Sequence, residues 1–548
     1  MSSHIFDNFL NIARNEPRRI FCIFRSESAE QVHTYSDAAT AAGRYQSLLR
    51  SHGVDRDDVV VIMLDHSIDV MTSFIGATLC GAIPSVMPLS TKKQDPQLFW
   101  PAHKKLFERT GVKAIVTSPA GKGHIQRWVL PESAGRPSVP IIESHEHRDH
   151  PADLTVADLC PGSLALLQHS SGTTGLKKGV ALSHEAVLAQ TAAYASAIGF
   201  SERDRVASWL PLYHDMGLLT SFLMPAILGA TIVASDPFEW VMQPHDLFAM
   251  IEDHKCQFTW MPNFAFEHLV RTDDPDRSCD LRSMKAFINC SEPCKKVTFD
   301  RFAAAFARHG VTPEMLQTCY AMAETVFAVT QTRCGQRVGS AANKFDQAGA
   351  FAIPHTVSVG VPISGMEIRI LDADNRPLAD GLAGQVAVRA PYLFSGYYRL
   401  PEDTQKAFAD DWYLTGDIGA VTDGELYIVG RIKDVVVVHG KNIVAHEIES
   451  EIGAAPGVKP GRAVVFGVFN PAVGSEELVV VAEADHTAQP TEAKAVSADI
   501  RERVNAACGI YPSRVLIVEP GWLVKTTSGK ISRSDNQRKY LEQLRSRS

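Results

Sequence analysis

The sequence predicts an α/β chain. A large N-terminal domain of helix-flanked, mostly parallel sheets carries a small β-barrel-like part, and a small α+β C-terminal domain follows. Three observations predict this. Short β-branched runs alternate with helical stretches through the first half, the pattern of strands covered on both faces. Around residues 366–430, MEIRIL, GQVAVRA and GELYIVG follow one another with turns and no long helix between them, which reads as an antiparallel sheet or small barrel. After GRIKDVVVVHGKN the pattern changes again and closes as a compact α+β unit of about 110 residues, enough for a small domain. A chain of 548 residues exceeds what one core organises. The boundary is placed at Lys433, giving residues 1–432 and 433–548.

Taken in order, TYSDAATAAGRYQSLLRSHGV reads as a helix closed by Gly53. DDVVVIML is a strand fit for burial on both faces. SIDVMTSFIGATLCGAIPSV returns to helix and then strand, and VKAIVTS is a further strand. The apolar residues 218–235 approach membrane-span length, but Pro225, Gly229 and several hydroxyls predict a buried helix followed by the strand ATIVAS. In the C-terminal unit, HEIESEIG and VSADIRERVNAAC read as helices, and RAVVFGVF, ELVVVAEA and SRVLIVEP as strands.

Composition narrows the function. The proportions are those of a soluble enzyme, with 45% hydrophobic and 21% charged residues, and the net charge of −8 argues against a general nucleic-acid or membrane-surface binder. From Gly521 onward the balance reverses, with seven Lys or Arg against two acids. That reads as a solvated tail or as a surface that meets phosphates. The ten cysteines lack paired spacing. Cys290 and Cys294 form a C-x3-C with no second pair to complete a zinc site, so reduced thiols in a cytoplasmic protein are expected. His145, His147 and His150 sit among charged residues and are expected in a solvated loop. The N-terminus lacks the basic start and apolar core of a secretory signal.

The segment HSSGTTGLKKGVALSH, residues 169–184, points to chemistry. Its Gly, Ser and Thr expose backbone N–H groups and hydroxyls, and its lysines add point charge, which together suit an anion. It follows the strand-like SLALLQ and precedes the helix-like EAVLAQTAAYASA, a common phosphate-binding setting. It is not the G-x-x-x-x-G-K-S/T loop, because Gly179 follows Lys178 where Ser or Thr should stand.

This loop resembles the phosphate loop of the adenylate-forming superfamily: acyl-CoA synthetases, fatty acyl-AMP ligases, adenylation domains and luciferases. The family pattern is close to S/T-S-G-S/T-T-G-x-P-K-G, and residues 170–179 match it except that Lys177 replaces the usual Pro. SWLPLYHDMGL resembles the segment lining the acyl site. CYAMAET resembles Y-G-x-T/A-E, with Ala321 where the family has Gly. WYLTGD, GRIKD and KTTSGKISR match the ribose, hinge and C-terminal lysine motifs, all in the family's order.

The resemblance implies the roles. Ser171, Gly172, Thr173, Thr174, Gly175 and Lys178 would hold the ATP phosphates, and Glu324 would bind Mg2+. Ser291, Glu292, Pro293, Tyr320, Ala321, Met322 and Ala323 would bind the nucleotide, with the Tyr320 ring near the adenine, Asp417 on the ribose, and Arg431 at the ribose or phosphate. Lys530 would be the catalytic lysine, and His214, in the acyl pocket, would join Lys530, Glu324 and Lys433 in the catalytic set. Lys433 would be the hinge about which a mobile C-terminal domain turns, and Gly440 would line the path of a pantetheine thiol. Trp209, Asn263 and Phe264 would line the acyl pocket. WMPNFAF carries no Asp to bind an α-amino group, which points to a fatty or aryl acid.

The implied reaction makes acyl-AMP from ATP and a carboxylic acid, then passes the acyl group to CoA. The alternative acceptor is the phosphopantetheine arm of an acyl carrier protein, as in fatty acyl-AMP ligases. Those ligases carry an insertion after the magnesium Glu, and the 36 residues from Glu324 to Gly360 are intermediate. Val444 and Ala445 replace the usual Tyr-Pro, which leaves the acceptor open. A degenerate nucleotide binder without turnover draws only on Lys177 and Ala321, and no feature argues for a luciferase.

Overall fold

The computed structural model describes residues 4–545 except 27–28, 91–95, 130–138, 161, 170–177, 341–356, 439–440, 454, 471–474, 486–492 and 526–530. A nine-stranded sheet forms its centre. From one edge the strands run Val361–Pro362, Ala328–Gln331, Leu316–Ala321, Ala286–Asn289, Phe258–Met261, Arg205–Ser208, Thr231–Ser235, Ile20–Arg25 and Glu30–Thr34. The strands from Leu316–Ala321 to Ile20–Arg25 are parallel, and the edge strands are antiparallel. A second, wholly parallel sheet of four strands is ordered Ile83–Val86, Val59–Met63, Val112–Thr117, Ile141–Glu143. Every residue of Val59–Met63 is buried, as a strand covered on both faces requires.

Two helices join these sheets. Tyr35–Ser51 starts at a capping box in which Thr34 and Asp37 satisfy each other's backbone N–H groups, and it gives way to Gly53 at φ 73°. Ile68–Leu79 crosses it so closely that a Cβ at Gly76 would lie 2.6 Å from the Ala42 carbonyl oxygen. Only glycine permits that approach.

The apolar stretch at 218–235 is buried, as expected. Helical turns run through Asp215–Leu218, a π-turn at Leu219–Leu223 and Met224–Leu228, end at Gly229 and lead into Thr231–Ser235. No helix among the described residues is long and apolar enough to cross a membrane. All ten cysteines are free thiols. The expected solvated loop around His147 is corrected. Ser144–Asp149 is a 3-10 helix, and His147 is buried because its ring stacks on Tyr45 at 4.2 Å.

The expected strand–loop–helix setting of the phosphate loop is also corrected. Leu164–His169 and Gly179–Ser183 are antiparallel partners, and Gly396–Tyr397 pairs with the second of them. The helix His184–Ile198 begins only after this hairpin. VALS is apolar and almost fully buried, so its backbone groups need ladder partners, and the preceding strand supplies them.

Residues 367–431 build the expected antiparallel half-barrel. Glu367–Leu371, Gly384–Arg389, Trp412–Thr422 and Phe408–Ala409 lie side by side, with Glu425–Arg431 on the other side of the long Trp412–Thr422 strand. Next come the hairpin Val435–Val438 and Lys441–Val444, the helix Ala445–Ile452, and a sheet of Val458–Asn470, Ser475–Ala484 and Arg514–Val518. That sheet is covered on both faces. Val480 and Ala482 face Ile448, Ile500 and Val504, while Val479 and Val481 face Leu523 and, from the last helix Arg533–Arg545, Tyr540. The period of two in ELVVVAEA is the reason.

Candidate active site

In open α/β sheets, ligands bind beyond the carboxyl ends of the parallel strands. Most of the motifs emerge there. Trp209 follows Arg205–Ser208, Asn263 follows Phe258–Met261, and Ser291, Glu292 and Pro293 follow Ala286–Asn289. Tyr320 and Ala321 end Leu316–Ala321, followed by Met322 and a 3-10 turn holding Ala323 and Glu324. Two non-glycine residues beside these motifs have left-handed backbones, Ser291 at φ 69° and the β-branched Val326 at φ 65°. Such strain persists only where the surroundings enforce it.

The half-barrel supplies the opposite wall. Asp417 is 5% exposed and faces Arg431 across neighbouring strands. Arg431 Nε lies 2.9 Å from Asp417 Oδ1, while the Tyr320 hydroxyl donates to Oδ2 at 2.5 Å. Three residues from two motif-bearing walls therefore meet at one carboxylate. Burial and the Asp417 charge push the Tyr320 phenol well above its ordinary value. The Asp417 charge raises the Arg431 guanidinium.

Glu324 lies at the junction of the sheet, the half-barrel and the loop hairpin. Its carboxylate accepts the Tyr397 hydroxyl at 2.9 Å, and Tyr413 Oη stands 3.3 Å from Tyr397 Oη. Its backbone carbonyl accepts the Phe394 N–H at 2.8 Å. Burial pushes the carboxyl above its usual range. The tyrosine hydroxyls oppose that shift and the Asp215 charge adds to it. Lys178 sits over the Tyr397 ring at 4.6 Å and pairs with Asp403 at 2.8 Å. His214 precedes the short helix Asp215–Leu218, with Nδ1 2.6 Å from Asp215 Oδ1.

The residues expected in an acyl pocket divide. Trp209 is 5% exposed and stacks face to face on Trp240 at 3.7 Å. Asn263 is held by protein, accepting from Asn289 Nδ2 at 3.0 Å and facing Thr298 Oγ1 at 3.3 Å. Phe264 is 46% exposed, and its N–H donates to Glu292 at 3.0 Å, tying the loop after Ala286–Asn289 to the helix Asn263–Arg271.

Lys433 occupies the 3-10 turn Ile432–Asp434 between the half-barrel and the C-terminal hairpin. Ser171, Gly172, Thr173, Thr174, Gly175, Gly440 and Lys530 lie outside the described residues. The stem of the lysine motif is described. Lys525 and Ile531 form a β-bridge, and the Ser532 N–H donates to the Val524 carbonyl at 3.0 Å.

Sequence reasoning missed Tyr397, Tyr413, Asp403, Trp240 and Arg533. A signal existed for two of them. Tyr413 stands in the WYLTGD motif, and Arg533 closes the lysine motif itself.

Residues 9–398 match the AMP-binding enzyme family. The chain is 29% identical over 526 residues to the medium-chain-fatty-acid–acyl-carrier-protein ligase JamA of Moorena producens (strain JHB), covering 89% of this chain and 86% of JamA. It is 27% identical over 553 residues to the putative fatty-acid–CoA ligase fadD25 of Mycobacterium tuberculosis (strain CDC 1551 / Oshkosh), covering 93% and 91%. A solved structure from work on fatty acyl-adenylate ligases of E. coli and L. pneumophila superposes with a TM-score of 0.90 at 21% identity, covering 100% of this chain and 99% of that one, and shares the fold. With the match spanning most of the chain and the motifs gathered at one edge of the sheet, the chain belongs to the AMP-binding enzyme family of adenylate-forming ligases.

Proposed function

We propose that this protein activates a fatty acid with ATP and transfers the acyl group to a pantetheine thiol. The observation that carries this reading is the meeting of Tyr320, Asp417 and Arg431 opposite Glu324 and Lys178. A nucleotide needs such a set: an aromatic ring for the base, a carboxylate for the ribose diol, and a cation for the phosphates.

In the first step a carboxylate oxygen attacks the α-phosphorus of ATP. The bond to the bridging oxygen of the β-phosphate breaks, and pyrophosphate leaves with the electron pair. Two anions approach, so charge must be neutralised and the groups aligned. Lys178, with Ser171, Gly172, Thr173, Thr174 and Gly175, holds the leaving phosphates. Asp417 and Arg431 fix the ribose, and Lys530 reaches the forming bond. Trp209, Asn263, Phe264 and His214 surround the acid.

Magnesium suits the residues present, because Glu324 offers a hard carboxylate oxygen on which the Asp215 charge also acts. When bound, it supplies further neutralisation of phosphate charge. In the second step the thiol loses its proton to solvent, its sulfur attacks the acyl carbonyl carbon, and the bond from that carbon to the phosphate oxygen breaks, so AMP leaves with the electron pair. For this the body 433–548 turns about Lys433, which removes Lys530 and brings Gly440 to the thiol path.

CoA is the acceptor in the first reading. The similarity to JamA supports a second, in which a carrier protein's pantetheine accepts. Mass spectrometry of products from ATP, magnesium and a panel of fatty and aryl acids, with and without CoA, separates them. Acyl-CoA fixes the first reading, and acyl-AMP persisting with CoA present fixes the second. Absence of adenylate from every acid sinks the proposal. Lys530→Ala is expected to lower adenylate formation by a factor of about 100 or more, the scale of losing one charge-compensating contact.

A further inference from the structure

We propose that Tyr397 is a positioning residue that presents Lys178 and Glu324 to metal-bound ATP as one unit. This rests on the nucleotide reading above.

The geometry comes from one short segment. Gly396–Tyr397 pairs with Gly179–Ser183, the strand that leaves the phosphate loop, and the Tyr398 N–H donates to the Gly179 carbonyl at 2.8 Å. The Tyr397 N–H donates to Thr404 Oγ1 at 2.9 Å, in the helix Pro401–Lys406 that carries Asp403. Tyr397 is thereby fixed on both sides by backbone contacts. Its two ends then do different work. The ring lies under the Lys178 ammonium at 4.6 Å, within range of attraction by the ring face. The hydroxyl donates to the Glu324 carboxylate at 2.9 Å, a bond strengthened by the acceptor's charge. Phe394, three residues earlier, holds the Glu324 backbone. A shift of this segment would move the cation and the carboxylate together.

A purely structural tyrosine would only pack, and its ring does sit against Phe394 at 5.0 Å. Tyr397→Phe keeps that packing and the ring under Lys178 and removes only the hydroxyl. Tyr397→Leu removes both. Binding of ATP to the full chain, measured by calorimetry with Mn2+ and again with EDTA, separates the roles. Tyr397→Phe is expected to weaken ATP binding about tenfold with Mn2+, the scale of one hydrogen bond to a charged group. With EDTA it should match wild type within about twofold, and excess Mn2+ should recover most of the loss. Tyr397→Leu should weaken binding under both conditions.

Equal metal dependence in wild type and Tyr397→Phe would overturn the proposal, and so would a Tyr397→Phe loss of the same size with EDTA. Wild type that binds Mn2+–ATP yet forms no acyl-AMP would fail the proposed function while leaving this comparison decisive. Wild type showing no metal-dependent ATP binding would sink both.

Discussion

At the scale of single residues, Asp417 is the most exacting position. Its two oxygens are both committed within the protein, one to Tyr320 and one to Arg431. Asp417→Asn retains the shape and removes the charge that holds Arg431. ATP affinity is expected to fall about tenfold or more, the cost of a hydrogen bond to a charged group, while the melting temperature changes little. Calorimetric titration against wild type checks this. A variant that binds ATP normally would remove Asp417 from the site. The gathering of Asp417, Arg431, Tyr320 and Glu324 into one candidate site was legible because each sits in a local sequence motif. Tyr397 and Trp240 were not. Tyr397 reaches Glu324 across 73 positions, and Trp240 covers Trp209 only because a helix folds back over the sheet's carboxyl edge. Side-chain partners of that separation leave no trace in spacing.

At the scale of elements, the helix Ala445–Ile452 carries an unusual carboxylate. Burial pushes Glu447 up to about 7, from an ordinary value near 4.5. Between those values the folded chain holds a proton that the unfolded chain has released. Stability from this group is therefore complete below about pH 4.5 and is lost as pH rises through 7, by at most about 3 kcal/mol. Glu447→Gln should flatten that decline, and denaturant titrations from pH 5 to 8 would show it. An unchanged pH profile would mean that Glu447 is solvated. Elements were mostly legible. Tyr35–Ser51 has its capping box and closing glycine written in sequence, and Val59–Met63 its β-branched run. Gly179–Ser183 was not recognised as a strand. Five residues beside a helix carry too little periodicity, and their partners lie on the far side of the loop.

At the scale of the whole molecule, the layered α/β body, the half-barrel and the C-terminal α+β sheet were all readable from changes in pattern. The antiparallel edges of the central sheet were not, because strand direction is set by connections rather than composition. The region after Lys433 is held together by Arg533. Its guanidinium pairs with Asp434 at 2.7 Å and Glu449 at 2.8 Å, and its Nε donates to the Val465 carbonyl at 2.8 Å. A turn, a helix and a strand thus depend on one half-buried cation. Arg533→Ala leaves two carboxylates facing each other and should destabilise this region by roughly 3 kcal/mol. Hydrogen exchange is expected to speed up across 435–470 and 514–545 while the nine-stranded sheet keeps its rates. Uniform acceleration would show that the two regions unfold as one.

The hairpin that carries the phosphate loop has a wider consequence. Its two ends, His169 and Gly179, are ladder partners, so the chain leaves and re-enters the hairpin at one rung of the ladder. Residues can be exchanged, added or lost within it without moving the strand pair or the helix that begins at His184. The sequence between the two strands can therefore diverge while the scaffold stays constant. Lys177, which stands at the proline position of the adenylate-forming pattern given above, is a difference of that kind.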